Sequence, residues 1–269
     1  MNKQISILGT GWLGLPLAET LIKEKYIIKG STTSENKLLY LKNKEIDAYC
    51  ISLYESGPAG DIISFLKGST TLIINIPPGL RRNPEVNFVA KIQKLIPFIE
   101  ESDIQNVLFV SSTSVFADLD GFPLVSEETT PNATSNAGKQ LFQVEKLLQN
   151  NQSFKTTIIR FSGLLGPDRH PAHMLSRKTS IKNPKAPVNL IHLNDCIGII
   201  KKIIETHSWN TVFNASYPDH PEKAIYYEKV CAQMGLPKPD YDFETPSKGK
   251  LIDSKKLISQ LSYQFTKNI

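Results

Sequence analysis

The sequence predicts an α/β fold, a doubly wound parallel sheet with helices on both faces and a small substrate lobe towards the C-terminal end. Three observations carry the prediction. The apolar run at residues 4–8 ends in Gly9-Thr10-Gly11-Trp12-Leu13-Gly14, and an amphipathic stretch follows to about Lys23. Strand-like and helix-like runs then alternate as far as residue 161, the rhythm of βαβ units. Among the strand-like runs, 71–76 is continuously apolar, as expected of a strand covered on both faces.

The N-terminal turn is the most informative stretch. Gly9 permits a tight exit from the strand, Gly11 lets backbone approach a pyrophosphate, and Gly14 lets helix and strand pack closely. Free N–H groups at the helix start then face the anion. Residues 9–14 are therefore the expected dinucleotide site of a Rossmann core. The plainer alternative is a strand–turn–helix whose glycines only make the turn.

Taken in order, residues 26–31 read as the second strand and 35–44 as a helix with Leu38, Leu39 and Leu41 on its apolar side. Residues 47–53 read as a short strand, and 58–66 as a helix with Pro58 near its start. The strand at 71–76 is stopped by Pro77-Pro78-Gly79. A long helix over 84–101 places Val86, Val89, Ile92, Leu95, Ile96 and Ile99 near helical spacing. Residues 106–110 form another buried strand, 118–136 a polar loop, 138–149 a helix and 155–161 a strand. Beyond residue 166 prolines break the rhythm. The expected division is a dinucleotide-binding core at 1–166 and a C-terminal lobe at 167–269, with one return to the sheet near 211–214.

Bulk properties exclude several classes. The chain has 269 residues, 40% of them hydrophobic, and a net charge of +5 spread over scattered lysines. Lys178, Lys182 and Lys185 are the densest basic stretch, with no interleaved aromatics, so nucleic-acid binding is not indicated. Cys50, Cys196 and Cys231 lack metal-ligand spacing and read as reduced thiols, so no metal site is expected. Met1 runs almost directly into the first strand, leaving no room for a signal peptide. No apolar run approaches the ~18 residues of a membrane span. The expectation is a cytoplasmic protein.

Four segments, in order, resemble the extended short-chain dehydrogenase/reductases, the family of sugar-nucleotide epimerases and dehydratases. They are GTGWLG at 9–14, VSSTSVF at 110–116, IRFSGLLGPDRHP at 159–171 and VNLIHLNDCIGII at 188–200. GWLGLPLAETL, GSTT, SSTSVF and GPDRHP look most like an atypical subgroup, the YeeZ-like proteins. The resemblance implies a nicotinamide cofactor, a small-molecule substrate with nucleotide sugars as the model class, and a homodimer. In extended members two helices pair into a four-helix bundle; here these are 84–101 and 138–149, with Leu95, Ile99, Leu147 and Leu148 as candidates for the seam. The departures matter more. Extended members carry Tyr-x-x-x-Lys, in which lysine lowers the tyrosine pKa for proton exchange. Aligning Glu145 with the acid that ends that motif puts Ala137 at the tyrosine and Leu141 at the lysine. No tyrosine lies between Tyr54 and Tyr217. Ser112 matches the family's catalytic serine.

Cofactor choice turns on the second strand, which ends Lys29-Gly30-Ser31-Thr32-Thr33 without an acid before Glu35. NAD-binding folds place Asp or Glu there to hold the ribose hydroxyls. Ser31, Thr32 and Thr33 leave room for a 2′-phosphate with Lys37 as counter-charge, which favours NADP over NAD. Asn75, Pro77, Ser111, Ser112 and Thr113 fall at strand ends facing the cofactor crevice. Arg81 and Arg82 either reach a phosphate or form a solvated basic loop. By resemblance, the loop with Asp168, Arg169, His170 and His173 faces substrate, and an arginine there can hold a nucleotide phosphate bidentately. His170 is a candidate acid or base or a packed side chain. Arg160 is an ion-pair partner or a catalytic group, Lys139 a surface lysine, and Asn194 or Asp195 a helix N-cap. The rival to an enzyme with a non-standard acid/base is a non-catalytic dinucleotide-binding sensor.

Overall fold

The computed structural model describes residues 3–80 and 83–269. Seven strands form one parallel sheet: β1 (Gln4–Leu8), β2 (Ile27–Thr32), β3 (Asp47–Cys50), β4 (Thr71–Ile74), β5 (Asn106–Ser112), β6 (Lys155–Phe161) and β7 (Val212–Ala215). Their spatial order is β7-β6-β5-β4-β1-β2-β3. The chain therefore reverses direction across the sheet between β1 and β4, and the crevice outside their C-terminal ends is where such sheets bind ligands.

Alternation along each strand divides the core. Ile73, Leu108, Ile159 and Phe213 face the layer containing α1 (Gly14–Lys23), α7 (Leu193–Glu205) and α9 (Lys255–Leu261). Leu72, Ile74, Phe109 and Ile158 face α3 (Ile62–Leu66), α4 (Phe88–Glu100) and α5 (Asn136–Gln149). A short helix α2 (Leu38–Lys42) follows β2. A third cluster builds the lobe from α6 (Ala172–Leu175), α8 (Lys223–Gln233) and the paired strands Gly163–Leu165 and Leu190–His192.

Several local expectations are corrected. Pro58 does not open a helix; Gly57–Ala59 pairs with Ser52–Tyr54 as a hairpin, and Asp61 caps α3 by accepting from the Ser64 N–H at 3.0 Å. The helix expected from 84 begins at Phe88, where Asn87 accepts from the Ala90 N–H at 2.9 Å. The cap of α7 is His192, whose Nδ1 accepts from the Asn194 N–H at 3.1 Å, not Asn194 or Asp195. Asp195 is fully buried and holds the C-terminal segment, accepting from Tyr263 Oη, the Thr266 N–H and hydroxyl, and the Lys267 N–H. Leu95, Ile99 and Leu148 are spent in the chain's own core and cannot form a seam with a second copy.

The three cysteines are free. Among the described residues no three His, Cys, Asp or Glu side chains converge as metal ligands. No described helix is long and apolar enough to cross a membrane.

Candidate functional site: a braced glycine turn at the crevice

β1 gives way to the turn at Gly9, whose φ of +103° is open chiefly to glycine. A Cβ there would lie 2.5 Å from the Asn75 carbonyl oxygen, and one on Gly14 would lie 2.1 Å from the Gly9 carbonyl oxygen. Both glycines thus let backbone pack on backbone. Gly11 differs, because a Cβ on it would meet nothing within 4 Å.

Three predicted cofactor residues turn out to brace this turn. Asn75 Nδ2 donates to the Gly9 carbonyl at 3.1 Å. Ser31 Oγ accepts from the Gly9 N–H at 2.9 Å, and the Ser31 carbonyl accepts from both the N–H and the hydroxyl of Thr10. Ser31 and Thr10 are buried. Among the described residues the N–H groups of Trp12 and Leu13 make no hydrogen bond, and the space beside Gly11 is clear. A helix start with free donors and no side chain in the way suits an anion such as a pyrophosphate.

At the end of β2 no carboxylate intervenes before the exposed Glu35. Thr32 Oγ1 accepts from the Ser34 N–H at 3.2 Å, while Thr33 and Lys37 are exposed. Pro77 is exposed on the loop after β4. Arg81 and Arg82 lie outside the described residues.

The end of β5 separates its three polar residues. Ser111, expected to line the crevice, instead points beneath α5 and donates to Glu145 Oε1 at 2.5 Å. Glu145 also takes Arg160, whose Nε lies 3.0 and 3.1 Å from the two carboxylate oxygens and whose Nη2 lies 2.6 Å from Oε2. Arg160 is therefore an ion-pair partner on the far side of the strand. Thr113 is buried, and half-buried Ser112 accepts from the Ser114 N–H at 3.1 Å, leaving its own hydrogen free to donate. Ser135 caps α5, placing Ala137 in its first turn; Leu141 is buried in the apolar cluster and Lys139 is exposed.

The turn at residues 166–169 is closed by reciprocal hydrogen bonds, Gly166 N–H to the Arg169 carbonyl at 2.8 Å and Arg169 N–H to the Gly166 carbonyl at 3.1 Å. Asp168, Arg169 and His173 are exposed. The Arg169 guanidinium lies 5.0 Å from the centre of the Trp12 ring, a contact between loops about 155 residues apart that only the folded chain reveals. His170 faces the lobe. Its Nδ1 accepts from the Ala172 N–H at 3.1 Å, so Nε2 carries the proton and meets Tyr226 Oη at 3.3 Å. Burial, helped by His173, lowers the His170 pKa. Stability from neutral His170 is therefore complete above the unfolded pKa near 6.5 and falls as pH drops towards the folded value. An imidazole NMR titration should show a midpoint below that of a free histidine.

No family model matches the chain. Protein YeeZ of Escherichia coli K12 is 30% identical over 265 residues, covering 98% of this chain and 96% of YeeZ. The chain belongs to the family of protein YeeZ. A protein described as an uncharacterized UDP-glucose epimerase, YtcB of Bacillus subtilis, is 25% identical over 224 residues, covering 72% of this chain and 70% of YtcB. A UDP-glucuronic acid 4-epimerase from Bacillus cereus, solved in complex with NAD, superposes with a TM-score of 0.80 at 16% identity, covering 98% of this chain and 92% of the epimerase. That likeness is one of fold.

Proposed function

We propose that this chain is a nicotinamide-dinucleotide-dependent oxidoreductase or epimerase acting on a small molecule of the nucleotide-sugar class. Its acid–base chemistry runs without a tyrosine–lysine relay. The observation that carries the reading is the braced glycine turn, with the Trp12 and Leu13 N–H groups unpaired among the described residues and no neighbour within 4 Å of a Cβ on Gly11. These residues fit a dinucleotide pyrophosphate, and the acid-free end of β2, with Thr32, Thr33 and Lys37, favours NADP over NAD. When bound, the nicotinamide supplies hydride exchange; Ser112 is the group available to polarise a substrate carbonyl or hydroxyl. The nucleotide-sugar class is supported by the names of YtcB and the B. cereus epimerase.

Titration calorimetry with NADPH and NADH should show binding, tighter for NADPH. Gly11→Asp should abolish it by placing a carboxylate where the phosphates need to lie. Undiminished binding in that variant would remove the site, and a preference for NADH would remove the cofactor assignment.

A homodimer through α4 and α5 is part of the proposal. The apolar residues available to it are the half-buried Val89, Phe98, Phe142 and Leu147. Light scattering that finds only monomer at micromolar concentration would count against it. A second reading, dinucleotide binding without turnover, is favoured by Ala137 and Leu141, which leave no ionisable group at the relay positions.

A further inference from the structure

We infer that Arg169 is a pyrophosphate ligand of the dinucleotide site, held over the glycine turn by its stack on Trp12. The inference rests on the dinucleotide reading above and moves Arg169 from the substrate side of the crevice to the cofactor side.

The two loops are fitted to each other. A Cβ on Gly166 would lie 2.8 Å from Trp12 Cζ2, so the turn's backbone rests directly on the indole. Pro167 and the reciprocal Gly166–Arg169 hydrogen bonds fix where the Arg169 side chain starts. Its guanidinium then settles 5.0 Å from the ring centre. Stacking on an aromatic face orders an arginine while leaving the edge of its planar fork free for a phosphate. Among the described residues no carboxylate pairs with Arg169, although Asp168 adjoins it. Trp12 joins the two features. Its side chain carries the cation, and its backbone N–H is one of the donors open at Gly11. One residue thus carries the cation on its ring and an unpaired donor at its backbone. A nucleotide sugar also carries a diphosphate, so the test separates the two ligands.

Calorimetry should compare wild type, Arg169→Ala, Arg169→Lys and Trp12→Leu with NADPH, ADP-ribose and UDP-glucose as probes. Losing charge-assisted hydrogen bonds to phosphate should weaken NADPH and ADP-ribose by about 10- to 100-fold in Arg169→Ala, with UDP-glucose binding unchanged. Arg169→Lys should lose less, because it keeps the charge without the fork. Trp12→Leu, with its melting temperature checked, should lose part of the affinity although Arg169 is intact. Arg169→Ala that binds NADPH and ADP-ribose as wild type does, or that loses only UDP-glucose, overturns the assignment. Wild-type protein that binds neither NADPH, NADH nor ADP-ribose overturns the dinucleotide reading itself, and shows this before any variant is made.

Discussion

Glu145→Gln is expected to destabilise the fold by about 3–5 kcal/mol, the usual cost of leaving one member of a buried ion pair without its partner. The Glu145 and Arg160 side chains are 0% and 4% exposed, and the carboxylate also accepts from Ser111. A neutral amide cannot balance the guanidinium, and the sheet and α5 exclude the water that might otherwise do so. Among the described residues Arg160 Nη1 already has no hydrogen-bond partner, so the guanidinium has little in reserve. Thermal melting should fall by roughly 6–20 °C for a chain of this size. Replacing both residues, Glu145→Met with Arg160→Met, should recover much of the loss, because it removes both charges from the interior. A single-variant loss below about 1 kcal/mol would mean that the pair behaves as an exposed one.

The same pair illustrates what the sequence made legible. Glu145 and Arg160 were each visible as a charge among apolar neighbours; their contact needed the helix packed over the sheet. Strand β6 was readable to the residue because its β-branched Thr156, Thr157, Ile158 and Ile159 are bounded by polar turns. The helix starts were read less well. A proline at 58 or 84 suits a first helical turn, whereas it is the side-chain oxygens of Asp61 and Asn87 that satisfy the first free N–H groups. Both caps are of a preferred type and were there to be read. His192 as a cap was not, since histidine lacks that preference. The glycine turn was legible as a motif, but its bracing by Ser31 and Asn75 comes from the ends of β2 and β4. That juxtaposition exists only once the strands take their order. Asp195 likewise finds its partners 68–72 residues away.

Turnover of sugar nucleotides by a tyrosine-driven route is expected to be absent. Proton transfer by a positioned side chain contributes ~10²–10⁴-fold, and its loss alone can make a hydride step undetectable. Ala137 carries no ionisable group, and Leu141 lies within the apolar cluster beneath α5. Rebuilding the relay should therefore be costly. Ala137→Tyr is at a half-buried position and should fold, but Leu141→Lys places an ammonium group among apolar side chains, one helical turn from a Glu145 already held by Arg160 and Ser111. Burial there would depress the lysine's own pKa and remove the charge the tyrosine needs. The double variant should melt below the single one and gain little turnover. The assay incubates protein and NADPH or NAD with UDP-, GDP- and dTDP-sugars, following nicotinamide absorbance and epimeric products. Ser112 alone can polarise an oxygen but cannot relay a proton at neutral pH, and His170 is turned towards Tyr226. Any wild-type turnover should therefore depend on the 168–173 loop. Robust activity that survives both His170→Ala and His173→Ala would place the chemistry elsewhere and defeat this account of the site.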